Sequence, residues 1–154
     1  MNAPVEYRLN TASVAEIAEH LMRCDANFLP PLSARVEISD YAKKIASKAT
    51  RFEAWAADTL AGLLAVYCND HEKRTAFVTS VSVLPAWSGI GIGSYLLNQC
   101  IRHARAMRMR EISLEVATGN DPAIKLYSKS GFILTQSSSR FASMSLNLEG
   151  EGET

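Results

Sequence analysis

Hydrophobic residues recur along this chain at two different spacings. Residues 14–24, VAEIAEHLMRC, place apolar side chains three and four positions apart, which is the spacing of an amphipathic helix. Ser13 and Glu16 form a capping-box pattern at its start. Three later runs are short, apolar and separated by polar turns: residues 51–57, 60–69 and 75–84. They predict three strands in an antiparallel meander, because short connections cannot form a crossover.

The same two spacings predict the remaining elements. A second helix is expected over residues 36–47, and a third follows a glycine run with an apolar stripe of Leu96, Leu97, Cys100, Ile101 and Ala104. Further strands are expected over residues 5–9, 112–117, 132–136 and 141–148. Asn120 or Asp121 can cap a fourth helix, which Gly131 ends. This order predicts a mixed α/β domain with a central sheet.

A single domain accounts for the chain. Its 154 residues suffice for one hydrophobic core, and no repeat or linker divides them. We expect the domain to occupy residues 1–148. The remaining residues, 149–154 (EGEGET), have no apolar side chain to bury and predict a disordered acidic tail.

Composition and charge exclude several classes of partner. Sixteen basic residues balance sixteen acidic ones, so no net field favours nucleic acid or an anionic membrane. The longest apolar run is too short to span a bilayer, and the first residues lack the layout of a signal peptide. The three cysteines are scattered, which is typical of reduced thiols in a cytosol. We therefore expect a cytoplasmic protein.

The sequence PAWSGIGIGSYLL, residues 85–97, places glycines at positions 89, 91 and 93 directly before a predicted helix. Glycines leave the backbone accessible, and the first amides of a helix have no partner within it. The segment therefore favours binding of an anion such as phosphate. A P-loop is excluded because Gly93 is followed by Ser94 and Tyr95, and the spacing is not that of a dinucleotide fingerprint. A tight strand-to-helix junction remains the structural alternative.

Two blocks of the sequence resemble the signatures of the GCN5-related N-acetyltransferase (GNAT) superfamily. The first is VLPAWSGIGIGSYLL, which is similar to V-x-P followed by [Q/R]-x-x-G-x-[G/A]; the second is LEVATGNDPAIKLYSKSGF. The resemblance implies a GNAT-like fold, with a mostly antiparallel mixed sheet of about seven strands flanked by about four helices. It also implies an acyl-CoA-dependent N-acetyltransferase with acetyl-CoA as co-substrate and no metal.

The resemblance also implies which residues contact the cofactor. The strand residues would bind the pantetheine arm and polarise the thioester carbonyl, and the glycine segment would bind the pyrophosphate. These residues are Val81, Ser82, Val83, Gly89, Ile90, Gly91, Ile92, Gly93, Ser94, Asn120 and Lys129. Ser88 stands where the family usually has Gln or Arg, so backbone amides are expected to carry most of the binding.

Two residues are candidates for catalysis. Tyr127 matches the family's tyrosine and resembles a general acid, since a phenol of pKa about 10 can protonate a departing thiolate. The alternative is that Tyr127 is an amphipathic residue of the hydrophobic core with no part in catalysis. Glu115 is a candidate base on the strand SLEV, or else a solvated strand residue. Glu53 and Asp70 are fallback bases.

The acceptor is less well defined by the sequence. The family resemblance directs attention to the loop after the first helix and to the strands facing the cofactor, with Phe28, Leu32, Tyr67 and Asn69 as candidate acceptor contacts. This mixture favours a small amine of amino-sugar or amino-acid type. The alternatives are a protein N-terminal α-amine as the acceptor, or a CoA-binding module without turnover.

No metal site is expected from the sequence. The pairs His20 with Cys24 and Cys100 with His103 lack further ligands. A homodimer is left open.

Overall fold

The computed structural model describes residues 4–149, and the predicted tail at 149–154 lies almost wholly outside them. Within this range the chain forms seven strands and four α-helices. In chain order these are β1 Val5–Leu9, α1 Val14–Cys24, α2 Ile38–Lys48, β2 Thr50–Ala56, β3 Thr59–Asp70, β4 Thr75–Val83, α3 Ile92–Ala106, β5 Glu111–Ala117, α4 Asp121–Lys129, β6 Ile133–Ser137 and β7 Phe141–Asn147. The predicted α/β fold class is confirmed.

All seven strands join one sheet in the order β1-β2-β3-β4-β5-β7-β6. The meander of β2, β3 and β4 is antiparallel, as the short turns predicted. Only β4 and β5 pair in parallel, because α3 connects them as a crossover. The sheet is therefore mixed and mostly antiparallel.

The parallel pair β4 and β5 separates partway along its length. Their pairing covers Thr75–Val78 of β4 and Glu111–Leu114 of β5. Beyond it, β4 continues to Val83 with β3 as its neighbour, while β5 continues to Ala117 with β7 as its neighbour. The backbone edges that face each other past Val78 thus lack a strand partner, and a gap opens in the middle of the sheet.

Helices cover both faces of the sheet, which explains the nearly unbroken apolar run of β3. Leu64 and Val66 pack in the core on the α3 and α4 side. Leu63 and Ala65 pack in the core on the α1 and α2 side. Alternate residues of one strand are therefore buried on opposite faces.

Local capping explains where the helices begin. The capping box of Ser13 and Glu16 is present in both directions, at 3.1 and 2.8 Å. The second helix begins at Ile38 rather than at residue 36, because the Glu37 carboxylate caps it by accepting the Asp40 amide at 2.9 Å. The other predicted elements are confirmed with small shifts of their ends.

No helix among residues 4–149 is long and apolar enough to cross a membrane.

Candidate active site

The larger of two adjoining clefts lies between the free end of β4 and helix α4 and has a volume of about 530 Å³. The end of β4 forms one wall, and α4 from Pro122 to Tyr127 forms the opposite wall. The glycine segment closes one end, and the loop after α1 closes another. The lining residues are Cys24, Asn27, Phe28, Leu29, Val81, Ser82, Val83, Trp87, Ser88, Gly89, Gly91, Ile92, Gly93, Ser94, Asn120, Pro122, Ala123, Leu126 and Tyr127.

The glycine segment takes a backbone shape that other residues adopt only with strain. Gly89 has a φ of 81° and Gly91 a φ of 92°, both in the left-handed region. Gly91 is the N-cap of α3 and supplies no side-chain cap. None of the amides from Gly89 to Ser94 donates to an acceptor within the described residues. The segment therefore presents several free N–H groups, and the positive end of the α3 dipole, to the cleft.

Ser88 occupies the position where the family usually has a long polar side chain. Its hydroxyl donates to the Pro85 carbonyl at 2.8 Å, within the short helical turn Pro85–Trp87. Ser88 thus stabilises its own turn and extends no charge into the cleft. An anion at this end of the cleft would therefore meet backbone amides and no charged side chain of residue 88.

Most of the predicted cofactor residues line this cleft, but two do not. Ile90 lies at the exposed tip of the glycine segment, with 61% of its surface accessible. Lys129 is the last residue of α4, and the part of α4 that lines the cleft ends at Tyr127. Asn120 also caps α4, because its side-chain oxygen accepts the Ala123 amide at 3.3 Å. The cap and the cleft position coexist.

Tyr127 is buried at the point where the larger cleft meets a second one. Only 7% of the residue is exposed, and burial raises the pKa of its hydroxyl to about 12. The hydroxyl makes no hydrogen bond to any group in residues 4–149, while the ring packs near Phe132 with centroids 5.9 Å apart. A protonated phenol without a protein partner is therefore available to a bound molecule.

The second cleft has a volume of about 280 Å³ and carries both signs of charge. Arg35 and Glu115 line it, and the Arg35 guanidinium lies 5.1 Å from the centre of the Phe141 ring. It shares part of its lining with the larger cleft, so the two adjoin. The shared residues are Phe28, Val81, Asn120, Ala123 and Tyr127.

Buried polar groups lie around the second cleft. Tyr41 donates its hydroxyl to the Thr79 carbonyl at 2.8 Å. The hydroxyl of Ser80, a lining residue that is 6% exposed, has no hydrogen-bond partner in the described structure. An unpaired buried hydroxyl favours a polar ligand at this position.

The predicted acceptor contacts are only partly brought together. Phe28 lines both clefts, and Leu32 lines the second. Tyr67 and Asn69 line neither cleft. The Tyr67 ring packs toward α2, with the Lys44 ammonium 5.5 Å from its centre.

Glu53, a fallback base in the sequence interpretation, is a structural carboxylate. It is fully buried and accepts hydrogen bonds from the Thr11 amide and hydroxyl, the Ala12 amide and the Trp55 indole, at 2.6–3.0 Å. Arg51 approaches it to 3.7 Å. These donors occupy the carboxylate, and Glu53 lines neither of the two clefts just described. Asp70 is the last residue of β3 and accepts the Lys73 amide at 3.1 Å, also away from both clefts.

Sequence reasoning missed Ser80 and the packing of His20. Period-two alternation in β4 places Ser80 and Ser82 on the same face, and that signal was available. His20 contacts Ser82 only because α1 docks on the sheet, which no local pattern indicates. Among residues 4–149, no group of three or more His, Cys, Asp or Glu side chains could hold a metal ion.

Comparison with known proteins gives a match to one protein family. The model of the acetyltransferase (GNAT) family matches residues 14–132, most of the chain. A mycothiol acetyltransferase from Corynebacterium glutamicum is 31% identical over 83 residues, which are 54% of this chain and 28% of that relative. The chain thus matches little more than a quarter of that relative's length.

Two solved structures share the fold over nearly their full lengths. The Salmonella typhimurium protein YncA, solved with its cofactor acetyl-CoA, has a TM-score of 0.75 and 18% identity, covering 96% of this chain and 95% of its own. The ribosomal-protein-S18-alanine N-acetyltransferase from Escherichia coli has a TM-score of 0.76 and 17% identity, covering 97% and 98%. At such identities the likeness establishes the fold.

Proposed function

Because the chain belongs to the GNAT family of acetyltransferases, we propose that it moves the acetyl group of acetyl-CoA to the primary amine of a small molecule of amino-sugar or amino-acid type. One observation carries this proposal: a cleft with a glycine-rich anion site adjoins a second, charged cleft at Tyr127. In such an arrangement acetyl-CoA and the amine would occupy different clefts and meet beside Tyr127.

The residues of the larger cleft fit acetyl-CoA. The free amides at Gly89 to Ser94 suit a pyrophosphate, and Gly89 and Gly91 have open space where a Cβ would stand. The walls of Val81, Val83 and Leu126 are partly buried apolar surface, which suits a pantetheine arm. The cleft at about 530 Å³ falls in the usual range for cofactor pockets.

The free edge of β4 would orient the acyl end. Beyond Val78, the backbone groups of β4 that face β5 have no strand partner. They can hydrogen-bond the amide-containing arm as an added strand would. A backbone N–H in this stretch, Val81–Val83, would polarise the thioester carbonyl and stabilise its developing negative charge.

Tyr127 would act as the general acid. When bound, acetyl-CoA supplies an activated acyl group whose sulfur leaves with an electron pair. The Tyr127 hydroxyl would protonate that sulfur, because it is buried at the junction and lacks a protein partner. Its raised pKa keeps the proton in place over the whole physiological range.

The second cleft would hold the acceptor. Glu115 would attract the ammonium group and take its first proton through water, while Arg35 would bind a carboxylate or hydroxyl groups of the acceptor. A cleft of about 280 Å³ suits a small molecule better than a folded protein segment. The relative named for mycothiol, rather than for a protein, supports the same choice.

The cysteines bear on the cellular compartment in which the protein acts. We place the protein in the cytoplasm, since its three cysteines are free and buried, which suits a reducing compartment. A homodimer stays a prediction, which sedimentation analysis of the purified chain would test.

The test is a thiol-release assay with acetyl-CoA and a panel of amines: glucosamine, the common amino acids, their amides, and short peptides with a free N-terminus. Release with a small amine, and a product heavier by one acetyl group in mass spectrometry, would support the proposal. Release with peptides alone would favour the N-terminal α-amine alternative. Binding of acetyl-CoA without release for any amine would indicate a CoA-binding module.

A further inference from the structure

His20 is a buried histidine whose two ring nitrogens both have partners. It lies on α1 and is 2% exposed. Nδ1 lies 2.8 Å from the Leu60 carbonyl oxygen on β3, and Nε2 lies 2.8 Å from the Ser82 hydroxyl on β4. The ring therefore links a helix to two strands, but one of its partners is a cleft residue.

The partners determine which nitrogen carries the proton. A carbonyl oxygen can only accept, so Nδ1 must donate to Leu60. Burial lowers the pKa of His20, which keeps the imidazole neutral and leaves Nε2 as an acceptor. Ser82 then donates its hydroxyl proton to Nε2, so its oxygen can accept a further hydrogen bond.

Ser82 brings this pair to the wall of the larger cleft. It belongs to the part of β4 that has separated from β5, and it lines the cleft between Val81 and Val83. Cys24, one turn after His20 on α1, lines the same cleft, with its sulfur 3.7 Å from Nε2. A polarised hydroxyl thus lines the larger cleft one residue from Val81, which borders both clefts where they meet.

We propose that Ser82 and His20 form a relay that takes the proton released by the amine as the new bond forms. This rests on the acetyl transfer proposed above and adds a route for the second proton of the acceptor. Ser82 contacts the amine and is the catalytic residue, while His20 acts through it as a positioning and proton-accepting residue.

The step balances as follows. The amine nitrogen forms a bond to the acyl carbon and loses a proton to Ser82 Oγ, while the Ser82 hydroxyl proton passes to His20 Nε2. The bond from that carbon to sulfur breaks, and the sulfur takes a proton from Tyr127. His20 then returns its proton through Ser82 to water, and Tyr127 regains one from water. When the amine attacks, its nitrogen becomes positively charged and bonded to the acyl carbon. That nitrogen is a stronger acid than a free ammonium group, so even a weakly basic imidazole can accept its proton.

Other charged groups also surround His20 and enter any pH dependence. Arg23 lies on the same helix and disfavours an imidazolium. Glu16, Glu19 and Asp58 line a shallow pocket on the other side of the ring together with Arg23. The Cys24 thiol has its pKa raised, chiefly by burial, and stays neutral beside the ring. Comparison of variants at one position removes the contribution of these neighbours.

The test uses Ser82→Ala, Ser82→Thr and His20→Gln in the full chain. Glutamine keeps one donor and one acceptor but cannot take a proton, so it separates proton acceptance from hydrogen bonding. Ser145→Ala is the matched control, because Ser145 is a buried strand serine that lines neither cleft. Acetyl-CoA affinity and the thermal midpoint are measured for each variant to confirm folding.

With the best acceptor of the amine panel, Ser82→Ala and His20→Gln should lower kcat by about 100-fold, with acetyl-CoA affinity changed less than about threefold. Ser82→Thr should restore most of the rate. The acidic limb of the kcat profile below pH about 6.5 should be absent in His20→Gln. Ser145→Ala should match the wild type.

Three results would overturn the relay. In the first, Ser82→Ala, with intact acetyl-CoA binding, keeps kcat within about twofold of the wild type. In the second, His20→Gln shows the wild-type rate and acidic limb, which would make the imidazole a structural tie. In the third, an acetylated Ser82 accumulates in mass spectrometry, which would make the serine a nucleophile. A wild type that binds acetyl-CoA but acetylates no amine overturns the proposed function as well, and so differs from these three.

Discussion

The Tyr95 amide donates to the Gly91 carbonyl at 3.0 Å, and this is the first main-chain bond of α3. The amides from Gly89 to Ser94 have no acceptor among the described residues, and most of these residues line the cleft between β4 and α4. This single bond fixes where the helix starts and where its positive end points. The proposed binding of acetyl-CoA depends on that position.

Gly91→Ala should weaken acetyl-CoA binding. A φ of 92° strains any residue with a Cβ by about 1–2 kcal/mol, so the loop should shift and its amides should lose alignment. We expect the Kd for acetyl-CoA to rise at least about fivefold in calorimetry. Gly119→Ala is the control, since Gly119 has open space and no left-handed φ. Equal affinities for both variants would contradict the role of the loop.

Tyr127→Phe should abolish most turnover without loss of fold or cofactor. The Tyr127 hydroxyl has no protein partner, so its removal should cost little stability. We expect kcat to fall by about 100-fold or more, with acetyl-CoA affinity unchanged. Tyr95→Phe, which alters an exposed tyrosine stacked on Tyr7, should leave kcat unchanged.

The pH profile gives a second view of Tyr127. Because its pKa is about 12, the acid form persists through the alkaline range, and kcat should show no tyrosine limb below pH about 10. An alkaline loss of kcat near pH 10 that disappears in Tyr127→Phe would contradict this burial effect.

Ser88→Arg should tighten acetyl-CoA binding. The serine hydroxyl is used within its own turn, so a guanidinium at this position would add a contact to the pyrophosphate. We expect the Kd to fall by about three- to tenfold at low salt, with the gain reduced at high salt. Ser88→Ala should change the Kd by less than about twofold. A gain of the same size in Ser88→Ala would mean that charge is not the cause.

Glu53→Gln should destabilise the protein and spare the chemistry. The amide would direct N–H groups toward the donors of Thr11, Ala12 and Trp55, leaving buried groups unpaired. The free energy of unfolding should fall by about 2–4 kcal/mol in urea titration. Glu6→Gln, at an exposed ion pair, should change it by less than about 0.5 kcal/mol. A folded Glu53→Gln with kcat reduced 100-fold would restore Glu53 as a base.

His20 should make the fold sensitive to acid. Its folded pKa is lowered by burial, so the unfolded chain takes up a proton that the native state refuses. Stability from this group is complete above pH about 6.5 and falls as pH drops below that value. The thermal midpoint of His20→Gln, measured from pH 8 to 5, should fall less steeply than that of the wild type. Parallel curves would contradict the assigned burial effect.

Local patterns predicted the helices, the strands and the glycine segment, because caps, turns and spacings depend on near neighbours. The capping box at Ser13 is an example, since both partners lie within three residues. The second cleft depends on distant docking and was predicted only in part. His20 and Ser82 are 62 positions apart, and their contact exists only in the folded domain.

The face that a residue occupies does not determine whether it reaches a cleft. Side chains alternate along β3 without interruption, with Ala65 and Tyr67 on the α1 and α2 side and Val66 on the other. Alternation therefore gives the face of Tyr67 correctly, but it cannot show that Tyr67 packs toward α2 and away from the clefts. Ile90 lies on a turn whose outward bend depends on the two left-handed glycines beside it.

Calorimetric titration of acetyl-CoA into the wild type and Gly91→Ala, with ATP as comparator, shows whether the glycine segment holds the pyrophosphate. We expect one acetyl-CoA site per chain, ATP bound at least about tenfold more weakly, and an affinity for acetyl-CoA at least about fivefold lower in the variant. If acetyl-CoA does not bind, or binds both proteins equally, the glycine segment does not hold the pyrophosphate.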